Sequence, residues 1–399
     1  MNWNYRIKKP EKGTPLNWEI YVPQGLSSFA GEIIISKLND IPLPNQIVPK
    51  VRIFPEKIKI EKANSHQIVY LMMNLWFIRD IRLVIAKTSD WDSASEKRES
   101  EWDRLKTLGV NFVKPLFKNQ NSLFYSIKEN IHISFFEDEI TLSFSMYGEP
   151  GYKRGIKSIL PTSAPVPEDL ASALILYSYL HFEKNIYDTK LLFVPFAGTL
   201  TFATEWWLLL GSKDYFLLPR ETQFPNLNFF PDGSVTHFRK RNILELAEKS
   251  NSDYENIDCK ILDSDPALKS YWETEVKNWS SILTTISNWD FRIGDFFKTD
   301  SLSDVSGDSL VFIPINPPYG FRKTERFEPK LYAKIGQKLE SLLQNKIHNL
   351  LGFVLCPREE DWSDLMNSMK SFRKKTIHVT HGGIDLRCLI FSSGGRSDS

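Results

Sequence analysis

The stretch Val311-Phe312-Ile313-Pro314-Ile315-Asn316-Pro317-Pro318-Tyr319-Gly320 is an apolar run that ends abruptly in a turn rich in proline. The apolar residues predict a buried β-strand. Pro317 and Pro318 predict a stiff loop directly after it, because proline fixes φ and lacks a backbone N–H. Asn316 adds a side-chain carbonyl acceptor and Tyr319 adds a face on which a flat ring can stack. Together these groups favour binding of a nucleobase amine for methylation over a plain proline-rich turn.

The composition is that of ordinary globular protein: 399 residues, 42% apolar and 25% charged, long enough for two or three domains. No window approaches the roughly 18 uninterrupted apolar residues that a membrane span needs, and the first residues lack the apolar core of a signal peptide, so we expect a cytoplasmic protein. Cys259, Cys356 and Cys388 are odd in number and widely spaced. This pattern indicates neither a disulfide framework nor a metal site, and predicts buried, reduced thiols.

The net charge of +1 gives no overall attraction for nucleic acid. Proteins that bind phosphate backbones usually carry a basic excess, so any such contact must come from local clusters. Three clusters mix cations with an aromatic residue or a glycine, and for each of them a solvated charged face is an equally good interpretation. They supply the candidate RNA contacts Lys153, Arg154, Lys157, Arg239, Lys240, Arg241, Arg322 and Lys323.

The first part of the chain, residues 1–160, predicts an α+β domain. Residues 26–38 have helical apolar spacing, and residues 122–127, 131–136 and 140–146 are predicted to be strands of an antiparallel sheet. A stiff connector with three prolines follows at residues 160–167. We therefore predict one domain over residues 1–160 and a second over residues 161–399.

The second domain predicts an α/β fold in which strands alternate with helices. A helix at residues 168–180 comes first, and another is expected at residues 331–345. Such alternation indicates a mostly parallel, Rossmann-like sheet with ligands at the carboxyl ends of its strands. His381-Gly382-Gly383 predicts a hairpin that closes the sheet with an antiparallel pair. The predicted parallel strands are residues 190–194, 257–262, 290–293, 309–315 and 351–356.

The loops after four of these strands should converge at one edge of the sheet. Gly198 would let backbone approach a ligand closely, Asp263 could accept hydrogen bonds from ribose hydroxyls, and Asp295 could accept from an adenine amine. This set predicts an adenosine-containing methyl donor that faces the loop at residues 316–319. For each aspartate alone, a helix N-cap is the simpler interpretation.

Residues 150–392 resemble, in order and spacing, an S-adenosylmethionine-dependent methyltransferase of the family that modifies guanine N2 in ribosomal or transfer RNA. The resemblance implies S-adenosylmethionine as cofactor, RNA as partner, and a ferredoxin-like and THUMP region in the N-terminal domain, where the likeness rests mainly on residues 22–26. The segments that carry it are residues 152–156, 164–171, 195–199, 263–266, 294–295, 316–320 and 382–389. It assigns the donor-binding loop to Pro195, Phe196, Ala197, Gly198 and Thr199.

Two residues depart from the family pattern in the donor loop. Val194 stands where the family has an aspartate, which removes a charge-assisted bond worth roughly 1.5 to 3 kcal/mol. Leu200 stands at a glycine position, and a leucine is expected to resist a positive φ and to add a side chain beside the donor. Glu205 matches a glutamate of the family, which implies that it fixes the loop.

Three functions follow from these observations. The leading one is an RNA methyltransferase that adds a methyl group to guanine N2 in ribosomal or transfer RNA, without a metal. Val194 and Leu200 favour a second, a catalytically inactive RNA-binding protein that keeps the fold but has lost the donor site. A third is a DNA adenine-N6 methyltransferase, because a loop that binds a planar amine does not distinguish the two rings.

Overall fold

In a computed structural model, the chain divides into two compact units. Unit 1 comprises residues 1–22, 26–153 and 214–242, and unit 2 comprises residues 23–25, 154–213 and 243–399. The division between them falls after Lys153 and not near residue 160, and residues 214–242 belong to unit 1, whereas the sequence-based boundary put them in the second domain. The structure describes residues 2–41, 48–89, 98–118, 124–136, 138–158, 165–211, 215–220, 222–249, 257–299, 302, 305, 307–320, 330–344 and 347–393. Most of the predicted connector lies outside these residues.

Unit 1 is built on an antiparallel sheet. Its described strands follow the order β3-β4-β2-β5-β7-β6, and β1 pairs with β5. Every one of these pairings is antiparallel. The elements are β1 (Tyr5–Arg6), β2 (Leu16–Tyr21), α1 (Ser27–Asn39), β3 (Lys50–Ile53), β4 (Ile58–Ala63), α2 (Ser65–Asn74), β5 (Asp80–Thr88), α3 (Arg98–Val113), α4 (Phe124–Glu129), β6 (Ile131–Phe136) and β7 (Glu139–Ser145).

The α+β class expected for this part of the chain is confirmed. The helix predicted at residues 26–38 is α1, and the strands predicted at 131–136 and 140–146 are β6 and β7. The strand predicted at residues 122–127 is wrong, because residues 124–129 form α4, which packs against α3 and β6. Its aromatic and branched residues fit a strand locally, but packing against neighbouring elements overrides such weak preferences.

Unit 2 contains the alternating elements predicted from the sequence, and part of α7 belongs to unit 1. The elements are α5 (Glu168–His181), β8 (Thr189–Pro195), α6 (Thr201–Leu210), α7 (Asp232–Lys249), β9 (Asp258–Asp263), α8 (Leu268–Trp279), β10 (Asp290–Ile293), β11 (Leu310–Ile315), α9 (Leu331–Gln344), β12 (Leu350–Cys356), α10 (Glu359–Ser368), β13 (Phe372–His381) and β14 (Ile384–Ser393).

The sheet of unit 2 has the order β10-β9-β8-β11-β12-β14-β13 among the described residues. The five strands from β10 to β12 are parallel, and β14 and β13 form an antiparallel hairpin that closes the sheet beside β12. The predicted parallel sheet and its closing hairpin are confirmed. The order of the strands reverses between β8 and β11, which creates a crevice at their carboxyl ends.

Helices cover both faces of this sheet. On one face Tyr179 of α5 stacks on Phe312 of β11, with ring centroids 4.9 Å apart. On the other face Ile335 of α9 belongs to an apolar cluster that includes Val311 and Ile313. Burial on both faces explains why β11 is an uninterrupted apolar run. The three cysteines are buried and free of disulfides, as predicted.

No helix in the described part of the chain combines the length and the apolar character needed to cross a membrane.

Gly352 in the middle of β12 is the tightest test of this packing. A Cβ at this position would lie 2.0 Å from the backbone oxygen of Ile313 and 2.9 Å from the ring of Phe391. Because the nearest obstacle is backbone in the neighbouring strand, we expect Gly352→Ala to reduce the free energy of unfolding of unit 2 by about 2–3 kcal/mol. Gly233→Ala in the unit 1 part of α7 is the control and should leave the unfolding of unit 2 unchanged, since nothing lies within 4 Å of its Cβ position. Equal thermal unfolding midpoints for the two variants would contradict the packing described here.

Candidate active site

The four predicted strand ends lie along one edge of the unit 2 sheet. Phe312 of β11 pairs with Leu192 of β8, and each strand continues for three more residues. The β8 loop, defined as residues 196–200, and the β11 loop, defined as residues 316–320, therefore follow two neighbouring strands at the same edge of the sheet. On the other side of β8, Pro195 pairs with Leu262, and Asp263 pairs with Ile293. This brings Asp263 and Asp295 to the same edge.

The β8 loop is held from three directions. The backbone N–H of Gly198 donates to Oδ2 of Asp263 at 2.9 Å, and the indole N–H of Trp272 donates to the carbonyl of Gly198 at 2.9 Å. The backbone N–H of Ala197 donates to the carbonyl of Leu262 at 3.0 Å. Strand β9 and helix α8 therefore fix the two peptide groups on either side of Gly198.

The backbone of the β8 loop has three residues at positive φ: Phe196 at 55°, Gly198 at 48° and Leu200 at 64°. The expectation that Leu200 resists such a conformation is wrong, because it adopts the left-handed region at the N-cap of α6. Its side chain is fully buried, so the core contacts that it makes stabilise a conformation that is otherwise unfavourable for leucine. Nothing lies within 4 Å of the position of a Cβ on Gly198, so this part of the loop leaves room for a ligand.

The two aspartates differ in their surroundings. Asp263 also accepts from the backbone N–H of Asp265 at 3.1 Å, and burial raises the pKa of its carboxyl while the backbone hydrogen bonds oppose that rise. It does not cap a described helix, since α8 begins at Leu268. Asp295 accepts from the backbone N–H of Phe297 at 2.9 Å, and its side chain is 40% exposed with Lys298 3.5 Å away. Asp263 thus shapes the loop, and Asp295 faces solvent.

In the β11 loop the hydroxyl of Tyr319 donates to Oδ1 of Asn316 at 2.7 Å. This bond orients the tyrosine ring against the amide, and the amide oxygen keeps a second lone pair for another donor. Pro317 is buried and Pro318 is exposed. Gly320 has a φ of 71°, which turns the chain sharply after the tyrosine. Arg322 and Lys323, predicted beside this loop, lie outside the described residues.

The prediction that Arg154 contacts RNA is wrong. Its side chain is 1% exposed and forms a two-bond ion pair with Glu205, from Nε to Oε1 at 3.0 Å and from Nη2 to Oε2 at 2.8 Å. The hydroxyl of Ser172 donates to the same carboxylate. Burial raises the pKa of the Glu205 carboxyl, and the guanidinium opposes that rise. Arg154 therefore ties the start of unit 2 to α6, the helix that follows the β8 loop.

The other predicted RNA contacts have varied environments. Lys157 is 12% exposed and bonds Glu168 at 3.1 Å and the hydroxyl of Thr201, so it too stabilises the structure around α5 and α6. Lys153 is half exposed and lies 3.1 Å from Glu149. On α7, Lys240 is exposed, Arg239 and Arg241 are half-buried, and Arg241 lies over the ring of Tyr70 at 5.4 Å. Lys153 and Lys240 remain open to a ligand.

Sequence reasoning missed Trp272, the residue that binds the carbonyl of Gly198. The signal was weak, since a tryptophan on an amphipathic helix is most simply a core residue. No group of three or more His, Cys, Asp or Glu side chains that could hold a metal ion occurs in the part of the chain that the structure describes.

Comparisons with known proteins show which solved structures share this fold. No protein-family model matches the chain, and no curated protein sequence matches it either. Three solved structures are similar at 16% identity. They are SMU.472, described as a putative methyltransferase complexed with SAH (TM-score 0.64, 96% of this chain and 100% of that one), a possible methylase from Clostridium difficile 630 (0.66, 96% and 100%), and a predicted N6-adenine-specific DNA methylase from Listeria monocytogenes str. 4b F2365 (0.62, 94% and 95%). The chain thus has the fold of these proteins along nearly its whole length.

The buried ion pair of Arg154 and Glu205 allows a test of the structural role of Arg154. Arg154→Met leaves a carboxylate buried without its cation, and we expect a loss of about 3–5 kcal/mol in the free energy of unfolding. The double variant Arg154→Met with Glu205→Leu removes both charges and should recover most of that loss. Thermal unfolding of both variants measures this. A stable single variant with weakened nucleic-acid binding would instead restore Arg154 as a surface contact.

Proposed function

We propose that the chain is an S-adenosylmethionine-dependent methyltransferase that methylates the N2 amine of a guanine in ribosomal or transfer RNA. The observation that carries this proposal is the placement of the β8 loop and the β11 loop side by side where the strand order reverses, with Asp263 and Asp295 on the same edge. One loop leaves open backbone for a donor, and the other presents acceptors for an amine. A methyl transfer needs these two surfaces to face a shared space.

The residues on the donor side fit S-adenosylmethionine. Gly198 offers backbone without a side chain, which allows close approach of the amino-acid or ribose part. Asp263 uses its oxygens for Gly198 and Asp265 but retains lone pairs for ribose hydroxyls, and Asp295 is exposed enough to accept from the adenine amine. SAH, the product form of this donor, is bound in the similar structure SMU.472.

On the acceptor side, Asn316 and the carbonyl of Pro317 would accept the two hydrogens of the guanine amine. This leaves the nitrogen lone pair aimed out of the base plane, and Tyr319, oriented by its bond to Asn316, would stack on the ring. The donor supplies an electrophilic methyl group on a sulfonium. The contribution of these residues is alignment, because a direct displacement gains its rate from positioning the reacting atoms.

We assign recognition of the RNA body to unit 1, whose antiparallel α+β architecture is compatible with the ferredoxin-like and THUMP region that the sequence resemblance implies. Structured RNA is recognised largely by shape and by phosphate contacts. Lys153 and Lys240 are the exposed predicted cations of this unit and would contribute such contacts.

Two alternatives have specific support. Adenine-N6 methylation of DNA is favoured by the similar Listeria structure, described as a predicted DNA methylase of that specificity, and the β11 loop would suit either amine. A silent RNA-binding protein is favoured by Val194, which is fully buried in β8 and offers no carboxylate to the donor.

Trp272 provides a test of the donor site. Trp272→Phe keeps a large ring but deletes the N–H that binds Gly198, and a hydrogen bond of this kind contributes about 0.5–1.5 kcal/mol. We expect calorimetry to show SAH binding three- to tenfold weaker than in the wild type. Trp362→Phe, which removes a comparable bond to Thr376 elsewhere in unit 2, should leave SAH affinity unchanged. If the wild type gives no heat at millimolar S-adenosylmethionine or SAH, the silent alternative is correct.

Asn316 tests the acceptor side. We expect Asn316→Ala to reduce methyl transfer at least a hundredfold while SAH affinity and RNA affinity change less than twofold, because the amide acts on the amine alone. The assay follows labelled methyl from S-adenosylmethionine into transfer and ribosomal RNA that lack the modification, with duplex DNA as a parallel substrate. Transfer to DNA alone would select the adenine-N6 alternative, and full activity of the variant would refute the assigned role of Asn316.

A further inference from the structure

A cavity of about 550 Å³ lies beside the proposed donor site in unit 2. It is enclosed on one side by α9 and on the other by the segment that follows β10. Its lining residues are Asp295, Phe297, Lys298, Lys334, Gln337, Lys338 and Ser341. Three lysines against one aspartate give this cavity a net positive charge, in a chain whose overall net charge is only +1. None of its lysines was singled out from the sequence.

The helix that forms one wall is strictly two-sided. Ile335 and Leu339 are fully buried in the core of unit 2, whereas Lys330 and Lys334 are exposed and Lys338 is half-buried. Lys334 and Lys338 stand four residues apart in α9, so their Cα atoms lie on one side of the helix about 6 Å apart. Two positive charges at this separation, with Lys298 on the opposite wall, are suited to successive phosphates on one strand.

Lys338 is anchored to the wall of the cavity that faces α9. Nζ of Lys338 donates to the carbonyl of Thr299 at 2.9 Å, which holds the ammonium at the cavity and leaves it two further N–H donors. Lys298 is 85% exposed in its side chain and lies 3.5 Å from Asp295. Gln337 adds a neutral side-chain amide that can donate to phosphate oxygens, whereas the hydroxyl of Ser341 already donates to the backbone carbonyl of Lys338 at 2.7 Å. The cavity thus combines one anchored cation and two exposed ones with a neutral amide donor.

We propose that this lysine groove, defined as Lys298, Lys334, Lys338, Gln337 and Ser341, binds the phosphodiester backbone of the RNA strand that carries the target base. This inference rests on the proposed function. The cavity that contains the groove is also lined by Asp295 of the proposed donor site, so a strand held there passes close to that site. Lysine contacts phosphate as a point charge without reading sequence, so the groove would hold the strand while the β11 loop selects the base.

The test compares two double variants that lose the same charge. The groove variant, Lys334→Gln with Lys338→Gln, removes the two α9 lysines of the groove. The control variant, Lys190→Gln with Lys375→Gln, removes two exposed lysines elsewhere in unit 2. Fluorescence anisotropy measures binding to unmodified transfer RNA and ribosomal RNA fragments over a range of salt concentrations. We expect the groove variant to bind at least tenfold more weakly and the dependence of log K on log salt to flatten by about one to two. The control should match the wild type.

Two further measurements make the outcome decisive. The groove variant should bind SAH with the affinity of the wild type, which would show that its donor site is intact. If the double variant is unstable, the single variant Lys334→Glu replaces it in the RNA-binding measurement. Equal RNA affinity and salt slope in the groove variant and the control overturn the groove while the proposed function stands. A wild type that binds SAH but no RNA overturns both. Loss of binding to DNA of the same length, with RNA binding untouched, would show that the groove serves the DNA alternative and not RNA.

Discussion

The hydrogen bond between Asp263 and the backbone N–H of Gly198 is the interaction on which the site depends. The β8 loop holds Phe196 and Leu200 at positive φ, and each such residue costs about 1–3 kcal/mol. A conformation of that kind persists only where its surroundings fix it. Asp263 binds the N–H of Gly198 and Trp272 binds its carbonyl, and the burial of the Leu200 side chain stabilises the end of the loop. The shape of the β8 loop is therefore set by β9, by α8 and by the core.

The architecture of unit 2 could be predicted from the sequence because its signals are local and consistent. A strand that is buried on both faces must be apolar throughout, so β11 and β12 are visible as runs that end in polar residues, glycine or proline. Parallel strands place their following loops at one edge, so Asp263, Asp295 and the β11 loop could be grouped before any coordinates were known. The hairpin at Gly382 and Gly383 follows from turn chemistry alone.

Long-range partners could not be predicted in the same way. A basic residue beside a glycine has the same local pattern whether its charge meets solvent or a buried carboxylate, and the partner of Arg154 lies 51 residues along the chain. Trp272 binds a carbonyl that is 74 residues away. Lysines at a spacing of four on α9 indicate only a solvated helix face until the opposite wall at Thr299 is placed against them. In each case the interaction partner is brought close only by the fold, so the role of the residue could be assigned only once that partner was known.

The two residues that depart from the pattern of the family that the sequence resembles, Val194 and Leu200, have unequal consequences. Leu200 stands where that family has a glycine, yet its backbone is left-handed and its side chain is buried, so the loop has the shape that a glycine would allow. Val194 stands where the family that the sequence resembles has an acid, so the proposed donor would find no carboxylate there, although the residue lies within a regular β8. The deficit expected for the proposed donor site is thus one of affinity and not of geometry. The hydroxyl of Tyr319 also donates to Asn316, so the β11 loop keeps an ordered acceptor, which agrees better with the proposed enzyme than with the silent alternative.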